Sequence, residues 1–398
     1  MIIGIDASRA FVDGRTGTEN YSFNLITEML RLPEAKPHTF VLFTRPNAIL
    51  PKELVGYSNV IIKCVKWKYL WTQVGLAWET YQKFTIHNLQ FTIDVLWVPA
   101  HTLPVLRRPG LKTVVTIHGL EYQWLREYKN LLQRWYLPLS TIYATKQADK
   151  LIAVSQFTAD QLQKELHTNP KKIKVIHEGV DIEQRTRENR ISKDQVNKLY
   201  STFNIQHSKY ILFVGTIQPR KNLVALIEAF SHFSSGSARD TVSDYKLVIA
   251  GGTGWMAEEV FKAPERYGVQ EKVIFTGRVS EGVLEELYKS ALLYVQPSIT
   301  EGFGLPILEA MKAGIPVVSS NGGALPEVVG DGGVLVKLKS PTLKLQIGDD
   351  FASRLAIAMK RVASDKNLQK ELISIGYERV NELSWEKAAK ATFQVLVG

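Results

Sequence analysis

"LLYVQPSITEGFGLPILEAMKAGIPVVSS", residues 292–320, places two short apolar runs on either side of a glycine-bearing bend and a helix-like segment. The flanks, "LLYVQPS" and "IPVVSS", read as strands. The same alternation extends outward through "YILFVGT", the helix "NLVALIEAF", "YKLVIAG", "KVIFTG" and the helix "VLEELYKSA". Further back, "MIIGID", "HTFVLFT", "VIIKCV", "DVLWVP", "KTVVTIH", "KLIAVS" and "KIKVIHEG" read as strands, with the amphipathic "ENYSFNLITEMLRL" after the first. Near-continuous apolar strands separated by helices predict an α/β fold with parallel sheets covered on both faces.

The cycle breaks at the charged stretch "DIEQRTRENRISKDQVNKL", which starts at Asp181, and then restarts. Two α/β blocks joined near residues 181–205 are therefore expected. The stretches "SSGSARDTVSD" and "KLKSPTLKLQIGDD" read as exposed polar loops. A length of 398 residues suits two to three domains with sizeable cores. The composition, 45% hydrophobic and 22% charged, is that of a globular chain and not a disordered one. A formal charge of +10 favours an acidic partner: nucleic acid, an anionic membrane surface or a phosphorylated small molecule. The single cysteine, Cys64, permits no intramolecular disulfide and fits a reducing compartment. "MIIGIDASRA" lacks the pattern of a signal peptide, and no apolar run reaches the roughly 20 residues of a spanning helix. A cytoplasmic protein is expected, in contact with a membrane only peripherally, at its inner face.

Ligands of open parallel sheets bind beyond the carboxyl ends of the strands. After "YILFVGT" come Arg220 and Lys221, with Asn222 placed to cap the next helix. Two cations beside a helix N-terminus suit a diphosphate, although a solvated basic turn has the same composition. After "LLYVQPS", Gly302 and Gly304 let backbone approach a ligand, and Pro306 suits a first helical turn. The amides near Phe303, Gly304 and Leu305 would then face outward as a second anion cradle. Glu301 and Glu309 flank that cradle. Carboxylates would repel phosphate, so the pair makes sense facing hydroxyl-rich, neutral parts of a ligand. The bland alternative is an exposed loop acid plus an acid of the first helical turn. Phosphates in the middle and polyols at both ends describe a nucleotide sugar.

The spacing of Glu301 and Glu309, with seven residues between them, resembles the E-x7-E motif of the GT4 family of retaining glycosyltransferases, glycosyl transferases group 1, which have the GT-B fold. That fold implies two Rossmann-like domains whose parallel sheets face across a cleft. "DGRTGTENY", "TIHGLE", "VGTIQPRKNL", "SNGGALPEVVGDGGVLV" and "LSWEKAAKAT" are each similar to the corresponding family segment, so the resemblance covers nearly the whole chain. It implies an acceptor-side domain over residues 1–185, a nucleotide-sugar domain over 205–378, and a helix at 380–398 that crosses back to the first. It implies that Arg220 and Lys221 bind the diphosphate and offset its charge as it leaves. Glu309 would hold the ribose, and Glu301 the sugar near its anomeric carbon, helped by the amides of Phe303, Gly304 and Leu305. His118 would hydrogen-bond the donor sugar, with His101 the next histidine to consider. Gly17 or Gly14 would bring backbone to the phosphate or sugar, Gly215 would line the donor site, and Arg278 and Val279 would flank the base. Gly119 departs from the family, whose members often carry Asp after the histidine. By itself, His118 after an apolar strand also reads as a packing residue.

No D-x-D pair, H-E-x-x-H or Cys/His cluster is present, so metal-independent transfer without a cofactor is expected, the two cations doing the electrostatic work. The overall resemblance leans toward GDP-mannose and a mannosyltransferase, a hexosyltransferase that makes surface polysaccharide or glycolipid on a glycan or lipid-linked acceptor. UDP-glucose or UDP-N-acetylglucosamine are the alternatives, followed by a nucleotide-sugar epimerase on the same fold. "KWKYLWTQVGLAWETYQKF" and "WLREYKNLLQRWY" interleave basic and aromatic residues, as in a surface that meets anionic lipid. Helices packing their tryptophans inward would also explain them. A dinucleotide oxidoreductase is the rival suggested by G-x-G-x-x-A in "LVIAGGTGWMAEE", but the acidic ribose ligand expected about 20 residues on is missing. A nucleic-acid-binding protein fits the charge but leaves the two acids unexplained, so no nucleic-acid partner is expected.

Overall fold

The computed structural model describes residues 1–86, 89–120, 131–180, 192–235, 245–339 and 350–398. Two compact units emerge: residues 1–179 with 385–398, and residues 180–384.

The first unit contains β1 (Ile2–Asp6), β2 (Thr39–Thr44), β3 (Val60–Cys64), the antiparallel pair β4 (Phe84–Ile86) and β5 (Leu89–Phe91), then β6 (Val95–Val98), β7 (Lys112–Ile117), β8 (Lys150–Ala153) and β9 (Ile173–Val175). Its main sheet is wholly parallel, in the order β3-β2-β1-β6-β7-β8-β9. Ile3, Ile5, Phe43, Leu96, Val98 and Val115 are completely buried, which accounts for their unbroken apolar runs. At about 1.5–3 kcal/mol each, such side chains supply most of the drive to fold. The helix Gly17–Arg31 buries Tyr21, Leu25, Ile26 and Met29 along one face and stops at Leu32, because the residue before Pro33 is forced out of helical backbone. The final helix, Trp385–Val397, buries Trp385, Ala388, Ala389, Phe393 and Leu396. It packs on Gly17–Arg31, the Trp385 and Tyr21 rings 6.0 Å apart.

The second unit contains β10 (Tyr210–Val214), β11 (Lys246–Ala250), β12 (Val273–Gly277), β13 (Leu293–Gln296), β14 (Val317–Ser320) and β15 (Gly333–Val336), parallel in the order β12-β11-β10-β13-β14-β15. In each sheet the chain builds outward from one strand and then restarts on its other side: between β1 and β6 in the first, between β10 and β13 in the second. Such switch points leave a crevice at the strands' carboxyl ends.

Two expectations are revised. The charged stretch from Asp181 is only partly a linker. Its residues 181–191 lie outside those described, but Lys193–Phe203 is a helix started by a capping box. There the Ser192 amide donates to Gln195 Oε1 at 2.7 Å and the Gln195 amide to Ser192 Oγ at 3.3 Å. β15 falls inside what reads as a glycine segment. Of the two polar stretches read as loops, residues 236–244 and 340–349 lie outside the described residues.

The G-x-G-x-x-A run serves close backbone packing. Ile217 N–H donates to Gly252 O, and Gly254 N–H to Ile217 O, both at 2.9 Å, tying the loops after β10 and β11 together. A Cβ on Gly251, where φ is +152°, would lie 2.1 Å from Gly215 O, whereas one on Gly252 would meet nothing within 4 Å. Gly251→Ala should therefore cost well over about 1 kcal/mol in urea unfolding, while Gly252→Ala stays near wild type or gains slightly. Equal stability of the two variants would show that the two loops are not packed as described.

Candidate active site

At the switch point of the second unit, the loops after β10 and β13 are joined before any charge is counted. The Ile299 amide donates to Arg220 O at 2.8 Å, and Asn222 Nδ2 to Pro297 O at 3.2 Å. Asn222 does precede the helix Leu223–Ser234, but with left-handed backbone and without a side-chain cap; its amide reaches across to the neighbouring loop instead. Adjacent strands thus bring Arg220 and Lys221 to Glu301, 80 residues away in sequence.

The Glu301 carboxylate is nearly saturated. Its Oε1 accepts from Lys221 Nζ at 2.6 Å, Ser298 Oγ at 2.6 Å and Gln296 Nε2 at 3.0 Å, and its Oε2 accepts from Arg220 Nη1. Arg220 Nη1 also donates to Thr300 O at 3.2 Å. Glycines hold the main chain in place from behind: the Ala324 amide donates to Glu301 O at 2.9 Å, and a Cβ on Gly323 would lie 2.4 Å from that oxygen. Glu301 and Lys221 are both buried. Burial alone would push the Glu301 carboxyl up, but Arg220 and Lys221, with the Lys221 and Ser298 hydrogen bonds, outweigh it and hold the group at about 2. Glu301 is therefore a fixed negative charge at physiological pH and not a proton carrier. It sits between the cations themselves, leaving the trio with one net positive charge.

Glu309 lies fifth in the helix Leu305–Lys312, beyond its first turn, so a dipole argument does not account for it. Its Oε2 accepts from Tyr288 OH at 2.9 Å. The Tyr288 and Tyr294 rings lie 5.8 Å apart, and Tyr294 OH donates to Gln296 Oε1, so a tyrosine pair bridges the surroundings of the two acids. Burial, reinforced by the nearby carboxylates, pushes both phenols well above their ordinary range. Gly304, at φ +124°, opens this helix, followed by Leu305, and Phe303 is buried. Gly215 follows β10; a Cβ there would lie 3.6 Å from Lys221 Nζ. Arg278 and Val279 follow the edge strand β12, with β11 between it and β10.

His118, Gly14 and Gly17 belong to the first unit. His118 follows β7 and is enclosed. Its Nδ1 lies 3.1 Å from Glu178 Oε1 and its Nε2 3.0 Å from Pro99 O. Gly14 has left-handed backbone (φ 63°), and a Cβ on Gly17 would meet nothing within 4 Å. Among the described residues no group of three or more His, Cys, Asp and Glu is placed to share a metal ion. Sequence reasoning missed Gln296, Ser298 and Tyr288. The first two were detectable as polar residues two apart at the end of an apolar strand, hence on one side; Tyr288 carries no such signal.

Comparison with known proteins agrees with this architecture. Residues 201–379 match the family model described as glycosyl transferases group 1, and residues 15–184 match glycosyltransferase family 4. Together the matches reach both units, and the chain belongs to this family of glycosyltransferase enzymes, which have the GT-B fold. It is similar to the serotype-specific mannosyltransferase WbdA of Escherichia coli, 31% identical over 58% of this chain and 27% of that protein. It is also 31% identical to the uncharacterized glycosyltransferase MJ1607 of Methanocaldococcus jannaschii, over 63% of this chain and 60% of the relative. The chain thus spans between about a quarter and three fifths of these relatives' lengths. Among solved structures, WaaG, a glycosyltransferase involved in lipopolysaccharide biosynthesis, superposes with a TM-score of 0.67 at 15% identity, covering all of both chains. At that identity the likeness concerns the fold.

Because Glu301 is held at about 2 against an ordinary 4.5, it stabilises the fold above pH 4.5 and loses that contribution as pH falls toward 2. Between pH 5 and pH 3, wild type should lose about 2 kcal/mol more in urea unfolding than Glu301→Gln does. Parallel acid limbs for the two proteins would contradict the ion-pair geometry.

Proposed function

We propose that this protein transfers a hexose from a nucleoside-diphosphate sugar to a glycan or lipid-linked acceptor in surface polysaccharide or glycolipid synthesis, with mannose from GDP-mannose the favoured donor. The observation that carries this reading is the Arg220–Glu301–Lys221 cluster at the switch point of the second sheet. A diphosphate leaving group must have its growing charge met. Two cations, Lys221 buried and Arg220 half-buried, already oriented by a carboxylate and needing no reorganisation, are suited to that role. Glu301 then serves as a fixed charge and hydrogen-bond acceptor at the sugar, with Glu309 on the ribose hydroxyls. A carboxylate held at about 2 is a poor base, so the departing phosphate is the better recipient of the acceptor's proton. That agrees with the front-side, retaining course implied by the family. Mannose is favoured because WbdA is named a mannosyltransferase. Since Arg220 and Lys221 counter the diphosphate, transfer proceeds without a metal.

A panel of nucleoside diphosphates and their sugars, read by thermal shift, should single out one donor, since selective binding stabilises the folded state. Turnover should persist in EDTA and fall by about two or more orders of magnitude in Glu301→Gln and in Lys221→Ala, as when one oriented charge is removed from a charge-stabilising site. Near-normal rates in both variants would defeat the assignment, and free sugar as the only product would favour the epimerase alternative. Gly17→Ala should stay fully folded, because its methyl meets open space. Lost activity in it would report ligand backbone contact.

We also propose that the first unit meets an anionic membrane surface. Among the described residues no helix is long and apolar enough to cross a membrane. Trp71 is buried in a turn of π-helix, Trp71–Leu76, but Trp67, Trp78 and Trp135 are more than half exposed, and Leu106 and Leu139 are exposed with them. The segments bearing most of these side chains are tied together. Gln73 Nε2 donates to Leu103 O at 3.1 Å, Tyr81 OH to Arg107 O at 2.9 Å, and Arg107 Nη1 to Tyr143 OH at 3.1 Å. Exposed Lys66, Lys68 and Lys83 supply charge complementary to anionic headgroups. Residues 124–130 of the second aromatic-basic stretch lie outside those described. The protein should float with vesicles containing anionic lipid, and Trp78→Ala with Trp135→Ala should abolish flotation without lowering the melting temperature. Flotation unchanged in that double variant would remove this surface from the proposal.

A further inference from the structure

In the first unit, the switch point lies between β1 and β6, so the loop after β6 borders the crevice where a ligand of this sheet binds. That loop carries His101, and the adjacent β7 leads to His118. The two rings stack at 5.6 Å with their planes 8° apart.

Their hydrogen bonds differ in a way that decides which of them faces outward. Pro99 O can only accept, so His118 Nε2 carries a hydrogen and donates to it, and His118 Nδ1 lies 3.1 Å from Glu178 Oε1. The buried Tyr21 ring meets His118 edge-on at 4.5 Å. Both nitrogens of His118 are thus engaged by the protein. The backbone amide of His118 donates to His101 Nε2 at 3.1 Å. A ring nitrogen that accepts carries no proton, so neutral His101 holds its hydrogen on Nδ1. Burial, then His118 and Arg9, hold His101 down at about 3, which keeps the ring neutral across the physiological range. Among the described residues nothing accepts from that Nδ1–H, and His101 is half-buried, not sealed.

We propose that His101 contacts the ligand, its neutral Nδ1–H donating to a sugar hydroxyl, while the His118 amide sets its tautomer and the His118 ring stacks on it. An uncharged donor suits a hydroxyl oxygen, and Gly119 next to His118 adds no competing side chain. The inference rests on the glycosyl-transfer reading above. It names a sugar hydroxyl as the partner, whether on the acceptor or on the transferred hexose.

Two substitutions separate the nitrogens. His101→Gln puts an amide oxygen near the Nε2 position, keeping the acceptor for the His118 amide while losing the Nδ1 donor. His101→Asn keeps a donor near Nδ1 and loses that acceptor. The Asn variant should hold kcat/KM for transfer within about threefold of wild type, and the Gln variant should lose about tenfold, the worth of one hydrogen bond. A raised acceptor KM with donor hydrolysis unchanged assigns the hydroxyl to the acceptor; a parallel fall in donor hydrolysis assigns it to the transferred sugar. The reverse ranking, Gln active and Asn impaired, would reduce His101 to a structural role. Independently of turnover, nitrogen-15 histidine NMR at neutral pH should find His101 as the Nδ1–H tautomer. The Nε2–H tautomer overturns the inference even if transfer is robust. A wild type that transfers from no nucleotide sugar removes the function beneath it, and the inference with it, whereas a wild-type-like Gln variant in an active enzyme removes the inference alone.

Discussion

A carboxylate buried between a guanidinium and an ammonium organises the second unit's site. Isolated, any of the three charges would be expensive to remove from water; together, with Ser298 and Gln296 also donating to Glu301 Oε1, they satisfy one another. The cost of holding cations in place is thus met by folding, before a ligand arrives. That is the condition for an electrostatic site to favour a charge that develops only during reaction. Glu301 orients both cations by accepting from each.

Backbone geometry makes the cluster possible. Parallel pairing of β10 with β13 brings the loops that follow them side by side, and glycines at 251, 322 and 323 allow main chain to approach main chain where a methyl would collide. The first unit repeats the principle with other residues. Its crevice-facing loop carries His101, neutral and with its tautomer set by a neighbouring amide, where the second unit has charge.

The strands were legible because buried parallel strands are apolar on both faces, leaving runs such as "YILFVGT" unmistakable. β15 was not, since Gly333 and its glycine neighbours conceal a strand whose register comes from pairing with β14. The helix Lys193–Phe203 was read as linker because its charged surface hides a capping box. The tryptophans were legible as a cluster but not by role. Trp71 is buried and Trp78 exposed, though both lie in the same amphipathic segment, because a turn of π-helix changes which face looks inward.

Residue order alone determined the α/β class, the restart after Asp181, and the approach of Arg220, Lys221 and Glu301 as residues following strands, since strand periodicity and loop position are local properties. Only the folded chain decided that Glu301 pairs with both cations, that Glu309 sits with Tyr288, and that His118 is enclosed while His101 keeps a donor. Those outcomes depend on which strands become neighbours and how far each side chain is desolvated. Both are set by packing between segments that lie 17 to 81 residues apart in the chain.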